Sequence, residues 1–407
     1  MGKSSTHGLR ILITNNTLGG RAGSELYVRD LALALLKQGH YPIAYSTVLG
    51  EVAEEMRLAT IPVIDDLGAL NTAPDLIHGQ HHLETMMAAL HFPDTPVIYV
   101  CHGWSPWEEL PPILPNIKRY IAVDDLCRER LLTTKGIKTA TVDVHLNFVD
   151  LGRFKLRSPR PQKPKTALIF SNYANESVML EAIRDACRQF GIERIDVAGG
   201  GSGKSVANPE SILGQYDVVF AKARCALEAM ASGCTVIVAD YAGLGGLVTT
   251  ENVAQMRRLN FGARTMQTAW ISKETILDQL NKYNSDDAHQ VSEWIRNDAD
   301  MSLAITNWIK LYRDVIANDL LISQDERTTF YATQLDATSN YLRRLAPIIK
   351  ARGESESSSR QLEAELAVIR ATLHQREKEI HEIYISRAWK AINQYRKIRA
   401  WLRKIRG

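Results

Sequence analysis

Two cations and a carboxylate are grouped where a short apolar run gives way to a helical pattern. Lys222 and Arg224 follow the apolar run Val218–Phe220, and Glu228 falls in the first turn of the helix predicted at Cys225–Ser232. Cations in such a loop can neutralise phosphate, and an arginine can hold two phosphate oxygens at once. A carboxylate can accept hydrogen bonds from a ribose diol. The group therefore predicts a nucleotide-binding site. The alternative is a solvated charge pair followed by a glutamate that the helix dipole favours.

A glycine-rich turn near the N-terminus is a second candidate for phosphate binding. Leu18–Glu25 reads LGGRAGSE and stands between a short β-branched run and an amphipathic helical pattern. Gly20 and Gly23 would let the backbone approach a ligand, and the helix N-terminus would offer free N–H groups to a phosphate. The helix is predicted to begin with Ser24 as its N-cap and to end before Gly39. The alternative is a tight turn with no ligand.

Histidines stand at the ends of two apolar runs. His102 ends the run Val97–His102, and ligands bind outside the carboxyl ends of strands in open α/β sheets. We therefore predict that His102 faces the site, with a purely structural histidine as the alternative. His78, His81 and His82 lie close together but lack a carboxylate or thiol at metal-ligand spacing. No metal site is predicted.

A second glycine-rich stretch, Ala198–Ser205 (AGGGSGKS), resembles a P-loop, in which Lys204 would hold phosphates. A P-loop opens a long helix, whereas Asn208-Pro209 follows within four residues and disfavours one. The stretch is predicted to form a flexible floor of the second-domain cleft. A P-loop NTPase whose activity depends on Lys204 is the alternative.

The elements that carry these groups alternate between strands and helices and predict an α/β fold. Two Rossmann-like domains are expected, at residues 1–158 and 159–320, separated by the proline-rich and basic linker Leu156–Thr166. A helical extension is predicted at residues 321–407. The predicted strands are Ile11–Thr14, Ile43–Thr47, Asp75–Gly79, Val97–His102, Tyr120–Val123 and Thr141–Leu146, then Ala167–Ser171, Arg194–Ala198, Val218–Phe220 and Thr235–Asp240.

The composition is that of a globular protein, with 45% hydrophobic and 23% charged residues among 407. Five cysteines without a CxxC pair argue against a disulfide framework and predict a reducing cytoplasmic location. No signal peptide and no apolar run of about 20 residues are visible. The net charge is +3, of which the eight cations after Ile385 supply +8, so the rest of the chain carries −5. A mildly acidic body does not indicate a nucleic-acid-binding protein.

The C-terminal extension carries two patterns. From Gln361, apolar residues at 3–4 spacing predict a short coiled coil of about three heptads, which would form a homodimer. In Ser386–Gly407 (SRAWKAINQYRKIRAWLRKIRG) apolar residues gather on one helical side and cations fill the rest. Such a helix is typical of binding to an anionic membrane surface, which predicts a peripheral position at the inner face of the cell membrane. The alternatives are docking on the acidic body and binding to nucleic acid.

Taken in order, these segments resemble the GT-B nucleotide-sugar glycosyltransferases, in particular the large retaining family 4. The resemblance covers about residues 9–270. It rests on GSELYVRDLALALLKQGHYPIAYST, DLIHGQHH, VIYVCHGW, YIAVDDLCRERLL, NFVDLGRF and ALEAMASGCTVIV. It implies an acceptor domain followed by a donor domain, a nucleotide sugar as substrate, no obligatory cofactor or metal, and retention at the anomeric carbon. It also implies that Gly20 and Gly23 approach the donor phosphates, that His102 lies near the transferring sugar and that Glu228 holds the ribose.

The sequence departs from the pattern of family 4 at two places. Where the family usually has a second glutamate, eight residues before Glu228, this chain has Phe220. Where the family usually has an arginine and a lysine, this chain has Ser171–Glu176 (SNYANE). Lys222 and Arg224, at positions where the family is usually neutral, are predicted to replace the missing cations.

The leading hypothesis is a hexosyltransferase-like enzyme of bacterial-type cell-surface glycan assembly, with a glycan or a lipid-linked molecule as acceptor. The departures motivate an alternative of another class. This is a catalytically silent relative that binds a nucleotide sugar or acts as a scaffold in a glycan-assembly complex.

Overall fold

The computed structural model describes residues 7–157, 161–171, 178–199, 206–267, 270–319 and 324–385. The predicted basic tail Ser386–Gly407 lies outside the described residues, as do residues 200–205 of the P-loop-like stretch. The chain divides into two compact units, the first ending at Leu335 and the second beginning at Asp336. The first unit contains both β-sheets.

The first sheet has seven parallel strands in the order β3-β2-β1-β4-β5-β6-β7. Its central strands β4 and β5 are fully buried, and β5 is a continuous apolar run, as expected for a parallel sheet with helices on both faces. The short strand β3 was not predicted, because two residues give no readable alternation. The strands are β1 (Arg10–Thr14), β2 (Tyr41–Tyr45), β3 (Val63–Ile64), β4 (Leu76–Gln80), β5 (Val97–Cys101), β6 (Ile117–Ala122) and β7 (Val142–Val144).

Four helices accompany this sheet: α1 (Gly23–Lys37), α2 (Glu51–Leu58), α3 (His82–His91) and α4 (Asp125–Thr133). The prediction that Ser24 caps α1 is wrong. The cap position is Ala22, and the Ser24 hydroxyl donates to Glu25 Oε2 at 2.9 Å instead. The helix ends as predicted, since Gly39 adopts φ +82°, a left-handed conformation that glycine tolerates.

The second sheet has five strands in the order β12-β11-β10-β8-β9, parallel except for β12. Strand β12 was not predicted, because its sequence GLGGL has three glycines and no polar alternation. The strands are β8 (Thr166–Phe170), β9 (Arg194–Ala198), β10 (Val218–Ala221), β11 (Thr235–Asp240) and β12 (Gly243–Leu247). The helices are α5 (Val178–Phe190), α6 (Glu210–Leu213), α7 (Ala223–Ala231), α8 (Val253–Arg258), α9 (Lys273–Leu280) and α10 (Ser285–Asp298).

Helix α11 (Met301–Asp319) packs against α1 of the first domain rather than the second sheet. Tyr312 reaches His78 on β4, with its hydroxyl 2.8 Å from Nδ1. Two sheets with helices around them agree with the predicted pair of Rossmann-like domains.

The last helix, α12 (Gln324–Ile385), begins in the first unit and forms the described part of the second. It agrees with the predicted helical extension. Leu362, Leu366 and Ile369 of the predicted seam are exposed in the single chain. The coiled coil therefore stays a prediction. Within the part of the chain that the structure describes, no helix is both long and apolar enough to cross a membrane.

Candidate functional site

The carboxyl ends of strands from both sheets meet at one small pocket of about 90 Å³. The pocket is lined by Gly23 at the start of α1, by Gly199 from the end of β9, and by Arg224 and Glu228 from α7. The structure thus brings together three of the predicted donor-binding residues, one from the first domain and two from the second. Helix α7 begins at Ala223, so Glu228 lies in its second turn and not in its first.

Buried ion pairs line this pocket and cross between the domains. Arg224 donates through Nε to Glu228 Oε1 at 2.7 Å and through Nη2 to Asp30 Oδ2, on α1 of the first domain. Arg29 holds the other oxygen of Asp30 with Nε at 2.9 Å and Nη2 at 2.8 Å. Arg153, in the segment between the sheets, lies 3.3 Å from Asp30 Oδ1 and also pairs with Glu210. Arg224 is therefore paired within the protein and is not a free cation.

The ionisation of this cluster follows from burial and from the arginines. Burial opposes the charge on Asp30, but Arg224 and Arg29 outweigh it and hold the pKa of Asp30 below its usual value. Burial dominates at Glu228 and raises its pKa, although Arg224 opposes the rise. Burial would lower the pKa of Arg224, but Asp30 and Glu228 raise it. Asp30 and Arg224 are thus charged at neutral pH.

Lys222 occupies the single position between β10 and α7 and lies beside this pocket rather than in its lining. Its ammonium is 2.5 Å from Asp240 Oδ2 and 4.9 Å from the centre of the Tyr241 ring. Asp240 also accepts a hydrogen bond from the Ser171 hydroxyl at 2.8 Å. The two predicted cations therefore have different partners.

Gly20 and Gly23 are not required by backbone conformation, because neither has a positive φ. A Cβ added at either position would meet no atom of the described residues within 4 Å. Packing does not require glycine there either. Their predicted role, to let a ligand approach the backbone, stays a prediction.

His102 follows β5 and lies under α1, with its ring 4.8 Å from that of Tyr27 in an edge-to-face arrangement. Its Nε2 atom is buried and has no hydrogen-bond partner among the described residues. Burial holds the pKa of His102 well below its usual value, and His81 and His78 add to this effect. His102 is therefore a neutral imidazole at the carboxyl edge of the first sheet.

Glu109 lies beneath His102 and was not singled out from the sequence. It ends the short 3₁₀ helix Trp107–Glu109, and its Oε2 accepts the backbone N–H of His102 at 2.9 Å. Its Oε1 is 3.4 Å from Nδ1 of His81, which has a φ of +58°. Burial raises the pKa of Glu109 to about 7 and lowers that of His81 to about 4. A left-handed, non-glycine residue and a buried acid at a strand end are features that cluster at functional sites.

The other histidines are accounted for by packing. His78 lies in a buried aromatic group with Trp308 and Tyr312, and His82 Nδ1 lies 3.0 Å from the carbonyl of Glu108. Among the described residues, no group of three or more His, Cys, Asp or Glu is arranged to hold a metal ion.

Asp30, Arg29, Arg153 and Glu109 are among the site residues that the sequence did not indicate. Asp30 stands within the amphipathic pattern of α1, where an acid is expected to be solvated. Its partner Arg224 is 194 positions away. Glu109 lies in a loop with no periodicity, and only its position seven residues after His102 could have drawn attention to it.

The comparisons with known proteins agree with this architecture. Residues 21–153 match the model of Glycosyltransferase Family 4. A glycosyltransferase from Rickettsia africae has a similar structure, with TM-score 0.54 and 14% identity over 76% of this chain and 99% of that one. HepE of Anabaena in complex with UDP gives TM-score 0.53 and 13% identity over 75% and 100% of the two chains. HepE in complex with UDP and glucose gives a TM-score of 0.51 and 14% identity over 74% of this chain and 99% of that one. No curated protein sequence matches. The chain thus resembles the GT-B glycosyltransferases of family 4, as the sequence indicated.

Asp30→Asn tests whether the buried ion pairs hold the two domains together. The substitution leaves Arg224 and Arg29 without their shared carboxylate, and breaking a buried pair in this way costs roughly 3–5 kcal/mol. Asp125→Asn is the matched control, because Asp125 also joins the domains, through Arg258, but at a half-exposed position where pairs contribute at most about 1 kcal/mol. Urea unfolding at pH 7 measures both. Equal losses of unfolding free energy in the two variants would contradict the role assigned to Asp30.

The pH dependence of stability tests the buried carboxyl of Glu109. Its pKa is raised from 4.5 to about 7 in the folded chain. The folded chain favours the protonated carboxyl, so its stabilisation is complete below pH 4.5 and is lost as the pH rises through 7. The unfolding free energy changes by about 3 kcal/mol over this range. The pKa of His81 is lowered to about 4, so this neighbour is mostly neutral in the folded chain over this range. The unfolding free energy of the wild type should therefore fall relative to that of Glu109→Gln between pH 4.5 and 8. Parallel curves would show that Glu109 does not titrate in this window.

Proposed function

We propose that this protein is a glycosyltransferase that moves a hexose from a nucleotide-sugar donor to a glycan or lipid-linked acceptor, with retention at the anomeric carbon. The observation that carries the proposal is the interdomain pocket that gathers Gly23, Arg224 and Glu228 at strand ends of both sheets. Ligands of open α/β sheets bind at such strand ends. The UDP complexes of HepE, which has a similar fold, support a nucleotide as the ligand.

In this proposal, Arg224 stabilises the departing diphosphate, and the carboxylate of Glu228 accepts hydrogen bonds from the ribose hydroxyls. A diphosphate that enters the pocket competes with Asp30 for Arg224, because Asp30 holds that guanidinium. The exchange replaces one anion by another, so Arg224 is never left buried without a partner. Closure of the domains around the donor excludes water and strengthens these interactions.

A second candidate function is a catalytically silent nucleotide-sugar-binding or scaffold protein. The observation that favours it is the place of Phe220. At this sequence position family 4 usually has a glutamate. The side chain of Phe220 is instead buried in the core on the α5 face of the second sheet. A transfer assay with a panel of nucleotide sugars separates the two candidates, since both bind donor but only the enzyme releases nucleoside diphosphate upon adding acceptor.

The peripheral membrane position is proposed for Ser386–Gly407, outside the described residues. Each cation near an anionic surface adds on the order of 1 kcal/mol, and the predicted seam of α12 would pair two such tails in a homodimer. A lipid-linked acceptor would be met at that surface.

The donor site is tested by ligand titration of two variants. Arg224→Ala should lower the affinity for UDP by about tenfold or more and leave that for uridine unchanged, because charge-assisted hydrogen bonds contribute roughly 1.5–3 kcal/mol. Glu228→Gln should lower the affinity for both ligands, because both contain the ribose. Arg258→Ala is the control, since Arg258 joins the domains outside the pocket. Equal losses for UDP and uridine in Arg224→Ala would contradict its phosphate-binding role.

The tail is tested by co-sedimentation with vesicles. The full chain should sediment with vesicles that contain anionic lipid and stay in solution with neutral ones, whereas a version ending at Ile385 should stay in solution with both. Equal sedimentation of the two versions on anionic vesicles would leave docking on the acidic body as the better account.

A further inference from the structure

The loop that follows β5 exposes two tryptophans beside His102. Trp104 is 52% exposed and Trp107 is 37% exposed, and Leu110 at the end of the loop is 38% exposed. Large aromatic side chains left in water on a short segment indicate a binding surface rather than a packing element. They stand within eight residues of His102, the histidine that the resemblance to family 4 implies to lie near the transferring sugar.

The loop is held in place by its own hydrogen bonds. Arg130, on α4, donates from Nη1 to the carbonyl of Gly103 at 2.8 Å and from Nη2 to that of Pro106 at 2.9 Å. The carboxyl of Glu109 accepts the backbone N–H of His102 from below. The Trp107 ring packs edge-to-face on His82, with 5.0 Å between ring centres. The two indoles are thus presented by a fixed backbone, which lowers the entropic cost of binding a ligand.

The chemistry of the loop favours a sugar ring over a membrane surface. One face of a pyranose ring carries C–H groups of slight positive charge, which pack on the negative face of an aromatic ring, while its hydroxyls stay in water. An anionic membrane would require cations at the exposed edge. The loop itself carries the half-buried acid Glu108 and no lysine or arginine, and Arg130 is engaged by the loop carbonyls.

We propose that Trp104 and Trp107 form an acceptor subsite that binds a saccharide by stacking on its pyranose rings. The inference rests on the proposed function, because it takes the edge of the first sheet beside His102 as the acceptor side of the transfer. It deepens that function by naming the class of acceptor as a sugar chain, whether free or carried on a lipid.

The test uses the full chain labelled with 5-fluorotryptophan and followed by fluorine NMR. Trp104→Phe and Trp107→Phe assign the two resonances among the seven tryptophans. The probes are cellobiose, lactose, maltose and chitobiose, each up to tens of millimolar. We expect at least one to shift the Trp104 and Trp107 resonances and to leave Trp270, which is 90% exposed on the second domain, unchanged.

Variants give the energetic test. Trp104→Ala and Trp107→Ala should each weaken binding of the responsive disaccharide about tenfold, the phenylalanine variants should retain part of it, and Trp270→Ala should change nothing. Thermal unfolding checks that each variant is folded. Absence of any shift with all four disaccharides, or an equal shift of Trp270, would overturn the subsite. Shifts with vesicles of anionic lipid but not with disaccharides would overturn it in favour of a membrane-contacting loop.

UDP titration of the same labelled chain separates this inference from the proposed function. If UDP binds and no disaccharide shifts the two resonances, the subsite fails and donor binding stands. If a disaccharide binds and UDP does not, the chain recognises sugar without the proposed donor chemistry.

Discussion

The carboxylate of Asp30 is the contact on which the closed arrangement of the two domains depends. It is buried, it comes from the first domain, and it faces guanidinium groups from α1, from the connecting segment and from the second domain. Taking such charges out of water costs several kcal/mol per ion, so the arrangement persists only because each charge has partners. Arg21 adds a further link, since it donates to the carbonyl of Ala207 across the same cleft. At this cleft the domains are thus joined by ion pairs and by a hydrogen bond.

This constraint shapes the pocket, because the same arginines line it. Arg21, Arg29, Arg153 and Arg224 surround a small space between strand ends, and each pairs with a carboxylate of the chain. A site that is nearly neutral in this way gains less from a bound anion than one with free cations, because a ligand has to replace an internal partner. The sequence predicts Lys222 and Arg224 to be cations that bind phosphate. Their internal partners could not be known from spacing.

Local sequence patterns predicted most strands of the fold. They did not predict the ion pairs between residues that are far apart in the chain. Buried parallel strands are mostly apolar runs, so β1, β5, β8 and β11 were located from their composition. β3 and β12 were missed, since one is two residues long and the other is largely glycine. In the site, Arg224 and Glu228 were found because they share one loop and helix. Asp30 was not found, because a charged residue on an amphipathic helix is expected to be solvated. Its burial depends on residues of the second domain, which the local pattern does not include.

The strand pattern also shows that position 220, where family 4 usually has a glutamate, faces away from the pocket. Successive residues of β10 point to opposite faces of the sheet, and Val219 and Ala221 pack on the side of α7 while Phe220 packs on the side of α5. Only Lys222 separates the strand from the helix, so the connection is too short to present another side chain to the pocket. A carboxylate at position 220 would lie in the core on the far face of the sheet. The carboxylates that Arg224 holds at the pocket are Glu228 and, from the opposite domain, Asp30, while Glu55 and Glu210 pair with the other arginines of the lining. Among the described residues that line this pocket, the charged side chains are therefore all engaged in ion pairs within the chain.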